Sequence, residues 1–135
     1  MNQKARSLNL NQTIFTNPSG LDVPSSNLST AYEVALLMNY VMMNPEFNTI
    51  VGSKTYQNTS NFGIEYTFVH KHRLLNNVEY VTDGKTGFTT LAGRTLVTTG
   101  ELEGQKLIVV TLNDPNDWDD HINLFEYGFN LLGIR

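Results

Sequence analysis

The 135-residue sequence contains no cysteine, which removes disulfides, thiolate zinc sites and cysteine nucleophiles together and leaves the redox compartment open. It also lacks any apolar run near the roughly 20 residues that span a bilayer, so no membrane segment is read in it. Residues 1–10, MNQKARSLNL, have no apolar core of the kind a signal peptide needs. Basic residues are the minority, with 9 Lys+Arg against 13 Asp+Glu for a formal net charge of -4. No Lys/Arg-rich stretch offers the basic face that nucleic-acid phosphates or anionic lipid would demand, and no nucleic-acid partner is expected. What is present, 40% hydrophobic and 16% charged residues, suits one globular domain or a piece of one with a core of its own.

Met1, Ala5 and Leu8 recur at helical spacing up to Asn9, with no capping residue before them, so this helix is expected to be the end of a longer one. Residues 10–28 carry loop chemistry around Asn17-Pro18-Ser19-Gly20-Leu21-Asp22, with positive φ expected at Gly20. Thr30-Ala31-Tyr32-Glu33 reads as a capping box opening a helix to about Met43, its apolar face traced by Val34, Ala35, Leu37, Met38, Val41 and Met42. Asn44-Pro45 then caps a short helix ending before Gly52.

From Ser53 to Val69, Thr55, Tyr56, Ile64, Tyr66 and Phe68 predict two short strands around a polar tip at Asn58–Gly63. His70 to Asn77 reads as a surface turn or short helix anchored by Leu74 and Leu75. Asp83 to Leu112 is the clearest β region, and Leu107–Leu112, apolar on both faces, is expected to be a central strand. Residues 117–132 predict a helix with Ile122, Leu124, Phe125, Phe129 and Leu132 on or near one face.

The sharpest chemical feature is Lys85-Thr86-Gly87 at the start of a predicted strand. K-T-G belongs, with S-x-x-K and S-D-N, to the motif set of serine acyl-transfer enzymes. A cation, a hydroxyl and a glycine on an edge strand can serve an anionic substrate end. Lys85 would supply positive potential, Thr86 a hydrogen bond to a carboxylate, and Gly87 close approach of the backbone.

Other clusters read more simply. His70-Lys71-His72 lacks a third ligand at a metal-site spacing, so no metal is assigned. Counting from Asp114 as the first position of a calcium loop puts Asp119 where Gly is needed and Phe125 where Glu is needed. The acids before and within the last helix favour its N-terminal dipole end instead. The sequons at Asn11, Asn27 and Asn58 are taken as loop composition, and no cofactor is implied.

Over almost its whole length the chain resembles the C-terminal half of the catalytic domain of a serine-type D-alanyl-D-alanine carboxypeptidase, a low-molecular-mass penicillin-binding protein. The blocks run in order: Met1-Asn2-x-Lys4-Ala5 with Leu8, Phe15-x-Asn17-Pro18-Ser19-Gly20-Leu21-Asp22, and Ser29-Thr30-Ala31-Tyr32-Glu33. Asn44-Pro45-x-Phe47, Arg73-Leu74-Leu75, Asp83 through Thr89, Ala92-Gly93-Arg94-x-Leu96-Val97 and Tyr127-Gly128-Phe129 complete them.

The resemblance implies an α/β architecture, part of the penicillin-binding/β-lactamase-like fold, with an antiparallel sheet flanked by helices and the strand from Lys85 at the substrate edge. It implies Lys85, Thr86, Gly87, Phe88 and Thr89 as substrate-side residues, with Lys85 also in the catalytic set. The expected partners are the peptidoglycan stem peptide, β-lactams and the N-terminal half of the same domain, in the bacterial cell envelope outside the cytoplasm.

The nucleophile motifs of the family are not in these 135 residues. Ser7, Ser19, Ser25, Ser26, Ser29, Ser53 and Ser60 have no Lys three positions on, and the one S-x-N, Ser25-Ser26-Asn27, falls after the loop block, out of family order. The chain is therefore expected to be inactive alone, with the missing motifs and a signal peptide upstream. Two departures stand out: Asp83-Gly84 abuts Lys85 directly, and His72-Arg73 precedes Leu74-Leu75 where the family often has Asn-x. A non-catalytic peptidoglycan-binding or assembly module is the alternative, and a β-lactamase a third reading.

Overall fold

The computed structural model describes residues 1–134. In chain order the elements are α1 (Asn2–Ser7), α2 (Ala31–Val41), α3 (Pro45–Gly52), β1 (Thr55–Thr59), β2 (Glu65–Val69), α4 (Arg73–Asn77), β3 (Val81–Thr89), β4 (Gly93–Leu102), β5 (Gln105–Leu112) and α5 (Asp117–Leu131). Strands β3, β4 and β5 form one antiparallel sheet in that spatial order, and β1 with β2 a separate hairpin.

Helices cover both faces of the larger sheet. On one face Thr98 of β4 bonds to His72, the N-cap of α4, and to His121 of α5. On the other, Thr99 and Ile108 line a cavity with Asn39 and Met42 of α2 and Asn48 of α3. The main core lies on the first side, where Leu74, Leu75, Val81, Val109, Phe125 and Phe129 cluster. Gly100 is obligatory there, because a Cβ would stand 2.8 Å from the Phe125 ring.

Leu107–Leu112, expected as a central strand, lies in β5; among the described residues it pairs on one side only, and β4 stands between β3 and β5. Both faces of β5 are apolar because α2 and α5 pack on opposite sides of it, which produces the same pattern as a strand flanked by two others.

Local chemistry accounts for most boundaries. Asn9, at φ 58°, stops α1, and Gly20, at φ 76°, turns the long loop. That loop is packed by its own side chains: Asn27 Oδ1 accepts the Thr16 N–H at 2.8 Å and Asn17 Oδ1 accepts the Gly20 N–H at 2.8 Å. Thr30 Oγ1 accepts the Glu33 N–H at 3.2 Å, which is half of the expected capping box.

The other half is not made, because the Glu33 carboxylate turns to the loop and accepts the Gln12 N–H at 2.9 Å and the Thr13 hydroxyl. Burial alone would raise the Glu33 pKa, but the bonds from Thr13, Gln12 and Asn11 outweigh it and hold the pKa below its ordinary value. Helix α2 ends at Val41, with Met42 as its C-cap.

Helix α5 buries Asp117, His121, Phe125 and Phe129, a strict i, i+4 ladder. Leu124 and Leu132, expected on the apolar face, are 44% and 49% exposed. The turn or short helix expected over 70–77 is α4, anchored by the buried Leu74 and Leu75, but the polar surface setting expected for His72 is corrected. His72 is 0% exposed, because α4 folds it inward between β3 and α5.

Candidate active site wall

Strand β3 changes character along its length. Val81, Asp83 and Gly84 are buried, whereas Lys85, Gly87 and Phe88 are exposed and Thr86 and Thr89 half-buried. One edge pairs with β4, and among the described residues no strand pairs with the other. Lys85 and Gly87 stand opposite Val97 and Thr95, Thr86 and Phe88 opposite Leu96 and Arg94, so the Lys85 and Thr86 side chains leave on opposite faces of the strand. The result is an open backbone edge with a cation on one side and a hydroxyl on the other.

Each predicted residue has a distinct setting. The Lys85 ammonium donates to the Thr86 carbonyl. Gly87 admits no side chain, since a Cβ would lie 2.4 Å from Thr95 Oγ1. Phe88 is 73% exposed. Thr89 differs from the rest, because its hydroxyl accepts the Ala92 N–H at 2.9 Å and is occupied in the turn between β3 and β4. Lys71, which precedes α4, joins Lys85, Thr86, Gly87 and Phe88 along one cleft. A register shift between Val81 and Asp83 places a bulge just before the motif, where the sequence departs in spacing from the family pattern.

The side chains behind the strand are the ones the sequence concealed. Gly84 is as constrained as Gly87: a Cβ there would sit 2.5 Å from His72 Nε2 and 2.5 Å from the Val97 carbonyl oxygen. His72 meets the Trp118 ring edge-on at 5.3 Å between centroids. Trp118 carries the Arg73 guanidinium at 5.8 Å and the Arg94 guanidinium at 5.5 Å.

Arg94 in turn donates from Nε at 3.1 Å and Nη2 at 2.6 Å to Asp117 Oδ1, which ties β4 to the first turn of α5 and raises the Arg94 pKa. The i, i+4 period from Asp117 through His121 to Phe125 was the one signal that could have marked two of these residues as inward-facing.

Electrostatically the motif is a positive edge over a neutral interior. Burial, reinforced by His70, pushes the His72 pKa down to about 4, and burial, reinforced by His72, pushes that of His121 down to about 4. Burial and the Lys85 ammonium lower that of His70. Among the described residues no group of His, Asp and Glu side chains is arranged to hold a metal ion, and no helix is long and apolar enough to cross a membrane.

Residues 1–116 match the protein family described as D-alanyl-D-alanine carboxypeptidase. A curated relative, the D-alanyl-D-alanine carboxypeptidase DacB2 of Mycobacterium tuberculosis, is 33% identical over 97% of this chain and 47% of its own length. A crystal structure of an evolved penicillin-binding protein homologue from the same organism superposes with a TM-score of 0.88 at 33% identity, covering 96% of this chain and 52% of that one. Penicillin-binding protein D2 of Listeria monocytogenes, solved with cefotaxime bound, gives 0.81 at 29% identity over 95% and 53%. The antiparallel sheet flanked by helices is thus the architecture of these proteins, and the chain spans about half the length of each.

Proposed function

The chain belongs to the D-alanyl-D-alanine carboxypeptidase family, and from that premise we propose that it forms the β3-edge wall of a serine carboxypeptidase site acting on peptidoglycan stem peptides. The observation that carries the reading is the abrupt emergence of Lys85-Thr86-Gly87 from a buried strand onto an open sheet edge. An extended peptide end lies along such an edge, as an added strand does. The Lys85 ammonium attracts its terminal carboxylate, the Thr86 hydroxyl donates to it, and Gly87 lets the two backbones approach. Phe88 offers apolar surface beside them.

In the reaction a serine oxygen attacks the carbonyl of the D-Ala-D-Ala amide, the terminal D-alanine leaves with a proton, and water then frees the acyl-serine. Penicillins acylate the same serine. No S-x-x-K is present in residues 1–135, so the nucleophile and its lysine come from a partner segment, the other half of the same domain. The chain alone is inactive in this reading, and the working enzyme acts outside the cytoplasm at the cell envelope.

The test is labelling by a fluorescent penicillin, with the chain alone and with the longest natural product of its reading frame. Label on the longer product and none on the chain supports the reading. No label on either favours a non-catalytic peptidoglycan-binding module, and rapid turnover of the penicillin favours a β-lactamase.

A further inference from the structure

Behind the Lys85 edge lies a hydrogen-bond chain whose proton order follows from its one fixed donor. The Leu75 backbone N–H, which can only donate, points at His72 Nδ1 at 3.2 Å. His72 Nδ1 is therefore an acceptor, and in a neutral ring the proton then sits on Nε2. Nε2 lies 2.8 Å from Thr98 Oγ1, with the Val97 carbonyl as a second acceptor beside it. Since His72 Nε2 carries a proton and cannot accept, the acceptor that satisfies the Thr98 hydroxyl proton is His121 Nδ1, also at 2.8 Å. His121 consequently carries its proton on Nε2, facing Thr111 Oγ1 at 3.2 Å. His72, Thr98 and His121 are each 0% exposed, so the two links through Thr98 are shielded from bulk solvent.

We propose that His72, Thr98 and His121 are positioning residues for the Lys85–Gly87 segment, a one-way hydrogen-bond chain that fixes the height of β3 against α4 and α5. The proposal rests on the reading of that segment as the substrate edge. The mechanical link is Gly84, which leaves no room for even a Cβ beside His72 Nε2 and which immediately precedes Lys85. A shift of the ring moves β3 at that point, and the ring is held by partners on both nitrogens and by Trp118.

The same order excludes charge from behind Lys85. A second proton on His72 would set Nδ1–H against the Leu75 N–H, and one on His121 would displace the Thr98 hydroxyl proton. The charged groups facing these rings are His70, from the connection between β2 and α4, and Asp117 and Asp114, from α5 and its approach. The acids favour a charged ring, yet burial outweighs them and both rings remain neutral near pH 7.

The experiment is side-chain 15N NMR of the histidines, with amide shifts of residues 84–87, in the parent chain and in Thr98→Val and Thr98→Ser, titrated with an N-acyl D-Ala-D-Ala peptide from pH 4 to 8. The proposal expects Nε2–H on both rings in the parent. It expects Thr98→Ser to behave as the parent and Thr98→Val to move the 84–87 amides, raise the pH at which binding is lost, and weaken the peptide by about tenfold, the equivalent of one lost buried hydrogen bond. The opposite tautomer on either ring in the parent overturns it even if Thr98→Val fails to fold, and so does a Thr98→Val protein with parental amides and pH profile. If the parent chain, which carries one wall of the site only, does not bind the peptide, the amide shifts of Thr98→Val against Thr98→Ser alone decide the positioning role, and the carboxypeptidase reading is decided separately by penicillin labelling of the longer product.

Discussion

Replacing Gly84 by alanine tests the packing behind the motif most directly. The new Cβ would stand 2.5 Å from His72 Nε2 and 2.5 Å from the Val97 carbonyl oxygen, well inside ordinary contact. The carbonyl belongs to the neighbouring strand and cannot rotate away. The ring can move only by surrendering its 2.8 Å bond to Thr98. Overpacking of this kind costs about 1–3 kcal/mol, and a buried donor left unpaired costs about 1–3 kcal/mol more. The smaller entropy of an unfolded alanine chain returns under about 1 kcal/mol.

The expected net loss is therefore about 3 kcal/mol, which at a urea slope of about 2 kcal/mol per molar moves the unfolding midpoint down by roughly 1.5 M. Gly104→Ala is the control: that glycine has φ 77° and nothing within 4 Å of a Cβ, so it reports only backbone strain of about 1–2 kcal/mol. In a His72→Ala background the cost of Gly84→Ala should shrink, since one of its two collisions is gone. A Gly84→Ala chain no less stable than Gly104→Ala would falsify the claim that His72 and Gly84 set the strand's height.

Three further outcomes follow from the same structure. Because His72 and His121 titrate near 4 in the fold against 6.5 when unfolded, the unfolded chain binds more protons between those values, so stability is complete above about pH 6.5 and falls toward pH 4. The loss is on the order of 3 kcal/mol for each ring, and urea midpoints that stay flat across that window would contradict it. Arg94→Gln strands the Asp117 carboxylate, 4% exposed, without its partner; a loss of about 2–3 kcal/mol is expected, largely recovered by adding Asp117→Asn, and a loss that the second change does not reduce would count against the pairing. Thr86→Val in the natural enzyme should slow acylation by penicillin and turnover of the D-Ala-D-Ala substrate, and equal rates for variant and parent would remove Thr86 from the carboxylate site.

How much of this was readable beforehand depends on the range of the cause. Thr30, Asn44 and Gly20 act on neighbours within a few residues, and the helix starts and the loop turn could be placed from them. Lys85-Thr86-Gly87 was visible as a motif for the same reason, although the open edge beside it is a property of the sheet. Glu33 was half legible: its backbone joins the cap, but its carboxylate serves a loop about 20 residues upstream. His72 looked like part of a polar surface turn, because its partner Thr98 lies 26 positions away in the chain and His121, on the far side of Thr98, 49. For β5 the hydrophobic pattern reports coverage of both faces and says nothing about pairing of edges, so its neighbours in the sheet could not be read from it.

The outer edge of β5, which no strand pairs among the described residues, has a practical side. Gln105–Leu112 is eight residues long, holds Leu107, Ile108, Val109 and Val110 in succession, and has neither proline nor an acidic residue. Such a margin accepts another strand readily, and sheets protect against this with charge or bulges that β5 has only in Lys106. Concentrated solutions of the 135-residue chain should therefore self-associate margin to margin.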